Sequence, residues 1–205
     1  MTGILGILEA ADKSATLALN SVSWPSTDIM WRVLSNAEIW YVLYLLIAIL
    51  FIRRLGWEKG GISILAIVLT IICADQLSNF TKEFFGRLRP CWDSDMIAGG
   101  LRVLEDVGGQ FGFYSAHAAN AAGFAVCSCT CFHKLSRFSY DTYGRLIVIW
   151  AFLVGISRVF VGKHFLGDVI VGFAVGTLLG WMFASIISRL WIRNLRRLAR
   201  NRQAR

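Results

Sequence analysis

Three short segments, far apart in the chain, carry the residues able to do nucleophilic, acid–base or anion-binding chemistry. Ser157 to Asp168 packs Arg158, Lys163, His164 and Asp168 into twelve residues between two apolar runs. Lys82 to Pro90 holds Lys82, Arg87 and Arg89, and Tyr114-Ser115-Ala116-His117 opens another apolar run. Ionisable groups at the edge of a membrane span are costly to hold and read first as a functional site. Spaced four apart, His164 and Asp168 share one helical face or meet across a tight turn, so the carboxylate can fix the ring's orientation and tautomer. Guanidinium groups grip phosphoryl oxygens in bidentate fashion, and an ammonium adds a point charge. A helix opening at Ser115 turns backbone N–H groups toward the same anion. One histidine can attack phosphorus while the other protonates the departing oxygen, two tasks that need opposite protonation states. The set suits a phosphate monoester or diphosphate. No run resembles a P-loop, and the spare carboxylates are too few and scattered for a two-metal site. The expectation is therefore catalysis by fixed charge, with no metal and no cofactor. The plainer alternative makes Arg158, Lys163 and Asp168 an ordinary charged loop between two spans.

These residues must be positioned by a membrane protein. Of the 205 residues 56% are hydrophobic and only 17% charged, too apolar for an ordinary soluble domain. The length suits one domain, 1–205. The formal charge of +8 does not point to nucleic acid, because seven arginines lie between Arg189 and Arg205, directly after an apolar run. No aromatic residue beyond Trp191 interleaves them, so 189–205 reads as a basic cytoplasmic tail against anionic headgroups. The five cysteines have no scaffold spacing, and those in apolar runs behave as small hydrophobes.

Residues 1–23 form an amphipathic segment with Ile4, Leu5, Leu8, Ala11 and Ala15 on one face and Glu9, Asp12 and Lys13 elsewhere. That pattern predicts a helix lying in the bilayer interface. Trp24-Pro25 breaks it. Five spans are predicted next. They centre on Ile39–Ile52 with an extension back toward Trp31, Gly61–Phe80, a stretch within Phe111–Phe132, Leu146–Ser157 and a little beyond, and Val169–Ser188. The fold class is thus all-α, an integral membrane helical bundle of about five transmembrane helices plus an N-terminal interfacial helix. In the last span Gly172, Gly176 and Gly180 recur every four residues, a face on which another helix can pack closely.

Loop charges orient the bundle. Arg53, Arg54 and Lys59, then Lys134, Arg137 and Arg145, then the arginine tail mark cytoplasmic regions. The N-terminal segment and the loops around 81–115 and 158–168 then share the outer face. From His117 to Ser157 is forty residues, enough for one helix down and one back, which returns the third segment to the neighbourhood of His117. Individually, Arg87 reads as a headgroup contact, Asp75 as a structural partner within the bundle, and Glu105 and Asp106 as a solvated loop.

Lys82 with six residues before Arg89-Pro90, Ser115-x-His117, and Ser157-Arg158 with five residues before His164 and three more before Asp168 resemble the three-part signature of the type 2 phosphatidic acid phosphatase (lipid phosphate phosphatase) superfamily. The motifs and their intervening helices cover about Gly61 to Leu190. The resemblance implies a six-helix membrane bundle and a metal-independent lipid phosphatase. It also implies His164 as the nucleophile forming a phosphohistidine, Asp168 orienting it, and His117 as general acid. Lys82, Arg89, Ser115, Ala116 and Arg158 would bind the phosphoryl oxygens. Tyr114 and Ala116 depart from the family's usual Pro-Ser-Gly-His. The Gly-Phe-Tyr-Ser-Ala-His-Ala-Ala-Asn run is similar to lipid A phosphatases and undecaprenyl diphosphate phosphatases of Gram-negative bacteria. That similarity implies the bacterial inner membrane, with the site facing the periplasm. Lipid A phosphate or undecaprenyl diphosphate is the leading substrate, with phosphatidylglycerol phosphate and phosphatidate also open. A phosphotransferase using the same site is an alternative. So is a small anion transporter, although here the ionisable groups gather at one face rather than at the midplane. Nothing in the spacing speaks to oligomeric state.

Overall fold

The computed structural model describes residues 3–22 and 24–203, and the side chains of the basic tail from 195 on, Asn201 aside, lie outside the described residues. Its elements are α1 (Ile4–Ser21), α2 (Pro25–Ser35), a 3-10 turn (Ala37–Trp40), α3 (Tyr41–Phe85), a second 3-10 turn (Pro90–Trp92), α4 (Ser94–Ala98), α5 (Ala116–Leu135), α6 (Asp141–Phe160) and α7 (Leu166–Gln203). The all-helical membrane bundle expected from the sequence is what the chain forms.

Among the described residues, three stretches are long and apolar enough to cross a membrane: Ala37–Phe85, Asp141–Phe160 and Leu166–Asn194. The first doubles back on itself. Gly56 has φ 79° and ψ 170°, a left-handed φ that glycine adopts without strain. In a straight helix residues 52 and 60 would stand about 12 Å apart along the axis. Instead a Cβ on Gly60 would lie 3.0 Å from the Ile52 Cα, so the chain has reversed and two of the expected spans form one hairpin.

One boundary differs from expectation. The first span does not extend back to Trp31. Pro25 starts the separate helix α2, and the Asn36 side chain accepts from the Glu38 N–H (2.9 Å), opening a new turn before α3. Trp31 stacks on Phe160 instead (3.9 Å between centroids). The helix of the third span opens at Ala116 with Ser115 as its cap, as expected, while Thr81 and Ser78 of α3 donate to the Phe113 and Tyr114 carbonyls and hold the stretch before it as a loop.

Helix α5 is wrapped by α3, α6 and α7, and more than half of its residues are buried. Its alanine, glycine, serine and cysteine content matches that position, since close approach there matters more than a lipid-facing surface. The glycine face of α7 lies against it. A Cβ on Gly172, Gly176 or Gly180 would stand 2.6, 2.1 and 2.5 Å from the carbonyl oxygens of Ser115, Ala119 and Gly123. Asp75 of α3 accepts from Asn120 of α5 (2.8 Å), the structural pairing expected for it.

The loop charges sort by end. Lys59 donates to the Leu135 carbonyl (3.3 Å), Lys134 to Ser185 (2.7 Å), and Phe51 stacks on Phe132 (4.3 Å), which gathers the Gly56 turn, the end of α5 and the distal part of α7. The three chemically loaded segments meet at the opposite end, beneath α1. Ile4, Leu5, Ile7 and Leu8 of α1 are exposed, as an interfacial helix requires. Its polar side is docked on the protein: Asn20 is buried, donates to the carbonyls of Arg102 (3.0 Å) and Phe160 (3.0 Å), and accepts from the Arg102 N–H (2.7 Å).

Candidate active site

Four elements deliver the site. Lys82 lies in the last turn of α3, which ends where Gly86 takes a left-handed φ of 57°. The chain then runs antiparallel to 110–112, with Arg89 N–H donating to Gln110 O and Gly112 N–H to Arg87 O (2.9 Å each). Gly112 must be glycine, since a Cβ there would meet Arg89 Cγ at 2.9 Å and Asp168 Oδ2 at 3.4 Å. Ser115 caps α5, its Oγ accepting from the Ala118 N–H (3.4 Å), and its own N–H donates to the Asp168 carbonyl (3.1 Å). The first N–H groups of α5, that of Ala116 among them, have no partner within the helix. His117 follows on the first turn. Arg158 ends α6, and a turn over Val161–Phe165 presents Lys163 and His164 before α7 starts.

His164 is almost wholly buried and Asp168 entirely so. The His164 Nδ1 stands 3.5 Å from Asp168 Oδ2, longer than a hydrogen bond, while that oxygen accepts from the Phe165 N–H (3.1 Å). Such contacts commonly tighten only when substrate binds. Burial, reinforced by the charges of Arg158, Arg89 and Lys82, pushes the His164 imidazole well below its ordinary value, so it rests neutral with a lone pair to offer. His117, on the first turn of α5, faces the same open cavity as Arg158 and Lys163.

Arg158 is 5% exposed and donates to the Ser35 carbonyl (3.3 Å), to Ser35 Oγ, and to Glu105 (3.2 Å). Together with His117 and Lys163 it lines an open cavity of about 920 Å³ bounded by α2, the 3-10 turn after it and the 103–106 loop. Burial lowers the Arg89 guanidinium's basicity. Burial also lowers that of the Lys163 ammonium, with Arg89 and Arg158 adding to it against the opposing influence of Cys91. Desolvated cations of this kind bind an anion more strongly than hydrated ones.

All eight site residues expected from the sequence lie at this one end, and the structure adds others. Lys163 lines the cavity with Arg158 and adds a fourth cation to this end; its place beside His164 was the only signal for it. Glu105 is no solvated loop residue, because it pairs with Arg158. Arg87 is no headgroup contact either: its two terminal nitrogens donate to Asp168 Oδ1 and to Asp12 Oδ2, 2.6 Å each. Burial works against the Arg87 charge, but these two carboxylates outweigh it and hold the guanidinium above its ordinary value. Tyr114, which stands where the family usually has proline, anchors the loop by donating from its hydroxyl to the Ala74 carbonyl (2.9 Å).

This geometry matches known proteins along most of the chain. Residues 62–192 match the family model described as the PAP2 superfamily. The chain belongs to that superfamily. It is 32% identical over 194 residues to a lipid A 4'-phosphatase of Bacteroides thetaiotaomicron, covering 93% of this chain and 83% of that one. To a lipid A 4'-phosphatase of Porphyromonas gingivalis it is 30% identical over 177 residues, covering 85% and 71%. Among solved structures, the PAP2-type phosphatidylglycerolphosphate phosphatase of Bacillus subtilis superposes with a TM-score of 0.70 at 23% identity, covering 89% of this chain and 87% of that one. Aquifex aeolicus LpxE does so with a TM-score of 0.62 at 26% identity, covering 84% and 93%. The chain is a lipid phosphatase of the PAP2 type.

Proposed function

We propose that residues 1–205 form one phosphatase domain that removes a phosphoryl group from lipid A through a phosphohistidine on His164. The domain sits in a bacterial inner membrane with the site facing the periplasm. One observation carries this reading: two histidines and four cations from separate elements gather at one end of the bundle, where His117, Arg158 and Lys163 line an open cavity. Its volume of about 920 Å³ far exceeds a phosphate and leaves room for a saccharide headgroup, while Ile29, Val33 and Ile39 offer an apolar wall toward acyl chains. The two lipid A 4'-phosphatases among the relatives favour this substrate over the other lipid phosphates. The positive-inside distribution supports the orientation.

In the reaction Nε2 of neutral His164 attacks phosphorus in line as the bond to the lipid oxygen breaks. Asp168, behind Nδ1, holds the ring and balances the charge it gains. His117, which takes up a proton along with the anionic substrate, gives it to the departing lipid oxygen. Lys82, Arg89, Arg158 and Lys163 hold the equatorial oxygens, joined by Ser115 and the Ala116 N–H. Water, deprotonated by His117, then attacks the phosphohistidine, the P–N bond breaks and inorganic phosphate leaves. No step calls for a metal.

Phosphate release by the purified protein should be compared across lipid A, undecaprenyl diphosphate, phosphatidylglycerol phosphate and phosphatidate. Lipid A is expected to be the fastest substrate, with the His164→Ala variant inactive. Release from none of the four, or a His164→Ala variant that retains the rate, overturns the reading.

A further inference from the structure

We propose that Asp12, on the amphipathic helix α1, is a positioning residue: through Arg87 it sets the orientation and charge of Asp168 behind the His164 ring. Given the phosphatase reading above, this makes α1 part of the catalytic apparatus as well as a seat on the bilayer.

Each link is a short contact. Asp12 Oδ2 accepts from one terminal nitrogen of Arg87 and Asp168 Oδ1 from the other, both at 2.6 Å. The fork is thereby fixed at both tips, and the guanidinium carbon lies 4.3 Å over the Phe165 ring. With Asp12 neutralised, one tip is released from a side chain that is 27% exposed, and Arg87 can turn toward solvent or headgroups. Asp12 Oδ1 also accepts the Gly167 N–H (2.8 Å), one residue before Asp168. That approach needs glycine, for a Cβ at Gly167 would stand 2.7 Å from Asp12 Oδ2. Asp12 therefore holds both the backbone that carries Asp168 and the cation that pairs with it. No other side chain of α1 does both. Thr16 accepts the Leu166 N–H (3.0 Å) and Lys13 pairs with Asp93 (2.8 Å), and neither reaches Arg87 in these contacts.

The electrostatic sense of the arrangement follows from what faces His164. Asp168 of α7 stands behind it, and around it are Arg158 of α6, Lys82 of α3, Arg89 of the following loop and His117 of α5. Arg87 draws Asp168 toward itself and away from the imidazole. Asp12 shares that cation, leaving Asp168 more of its charge for the ring when His164 becomes cationic on phosphorylation. The exposed Ile4, Leu5, Ile7 and Leu8 at the far end of α1 place this strut against lipid.

The test uses the full-length protein in detergent micelles, with phosphate release from lipid A measured against pH. Asp12→Asn keeps an acceptor for the Gly167 N–H and removes the charge facing Arg87. It is expected to lower kcat about 10- to 100-fold, the cost of misplacing a catalytic group by a fraction of an ångström to one ångström, with KM within about twofold. Its acid limb in kcat/KM moves to lower pH, because a negative charge near His164 is gone. Arg87→Gln lowers kcat too but moves that limb to higher pH, because a positive charge is gone. Asp12→Glu restores part of the lost kcat. Limb shifts of opposite sign support the proposal. Unchanged kcat in both variants, or loss of activity with both limbs unmoved, overturns it and leaves α1 a merely structural element. If Asp12→Asn fails to fold, Arg87→Gln, which alters no residue of α1, decides by the same two readouts. A wild-type protein inactive on every lipid tested overturns the phosphatase reading with it, whereas an active wild type with unaffected variants overturns the positioning role alone.

Discussion

Gly176→Ala puts one methyl group into the α5–α7 seam, where the facing backbone leaves no room for it. The new Cβ would stand 2.1 Å from the Ala119 carbonyl oxygen and 2.8 Å from its carbon and Cα, all backbone atoms that no rotamer change can move. A relaxed C···O contact is about 3.3 Å, so the two helices must part by about 1.2 Å. Overpacking a well-filled core costs about 1–3 kcal/mol, and with backbone on the far side the upper end applies. The same displacement reaches the chemistry. Ser115 and His117 ride on the start of α5 and Asp168 on the start of α7, joined by the Ser115 N–H to Asp168 carbonyl hydrogen bond (3.1 Å). A misplacement of about 1 Å between reacting groups can cost about 100-fold in rate. Thermal unfolding in detergent and phosphate release from lipid A measure the two effects, with Gly61→Ala as the control, since a Cβ there meets nothing within 4 Å. A melting temperature lowered by several degrees and a strongly reduced rate are expected for Gly176→Ala alone. Wild-type behaviour in both assays would refute the close-packed seam as the device that aligns the site.

Three further outcomes follow from the site itself. The acid limb of kcat/KM, which reports the free enzyme, should lie below the ordinary histidine value. Burial, then Arg158, Arg89 and Lys82, oppose the proton whose arrival would remove the nucleophile as pH falls; a limb at or above that value contradicts the assignment. Lys163→Ala should lower kcat/KM roughly tenfold or more, because a hydrogen bond to a charged group contributes about 1.5–3 kcal/mol. A change under twofold would remove Lys163 from the anion site. Treatment with EDTA should leave the rate unchanged, and a rate lost on chelation and restored by a divalent ion would contradict catalysis by fixed charge.

Much of this was legible in the sequence because it is written at short range. The spacing of His164 and Asp168, the run from Lys82 to Arg89, Ser115 two residues before His117, and the glycine period in α7 each sit inside one element or turn. Their convergence needed only helix lengths and loop charges. What stayed hidden is the pairing of charges across long separations. Asp12 and Arg87 lie 75 residues apart, and Glu105 and Arg158 53 apart, and a polar residue destined for a buried ion pair has the same local context as one left in solvent. The first span's boundary slipped where local chemistry outweighed hydropathy, since Asn36 started a new turn before α3.

The most direct test of the central claim is to quench the enzyme during turnover of a phosphate-labelled lipid and locate the label on the protein. The account predicts an acid-labile, alkali-stable phosphoenzyme with the label on His164, absent from the His164→Ala variant. A label on another residue, or its absence from an enzyme quenched while phosphohistidine is being hydrolysed more slowly than it forms, would contradict it.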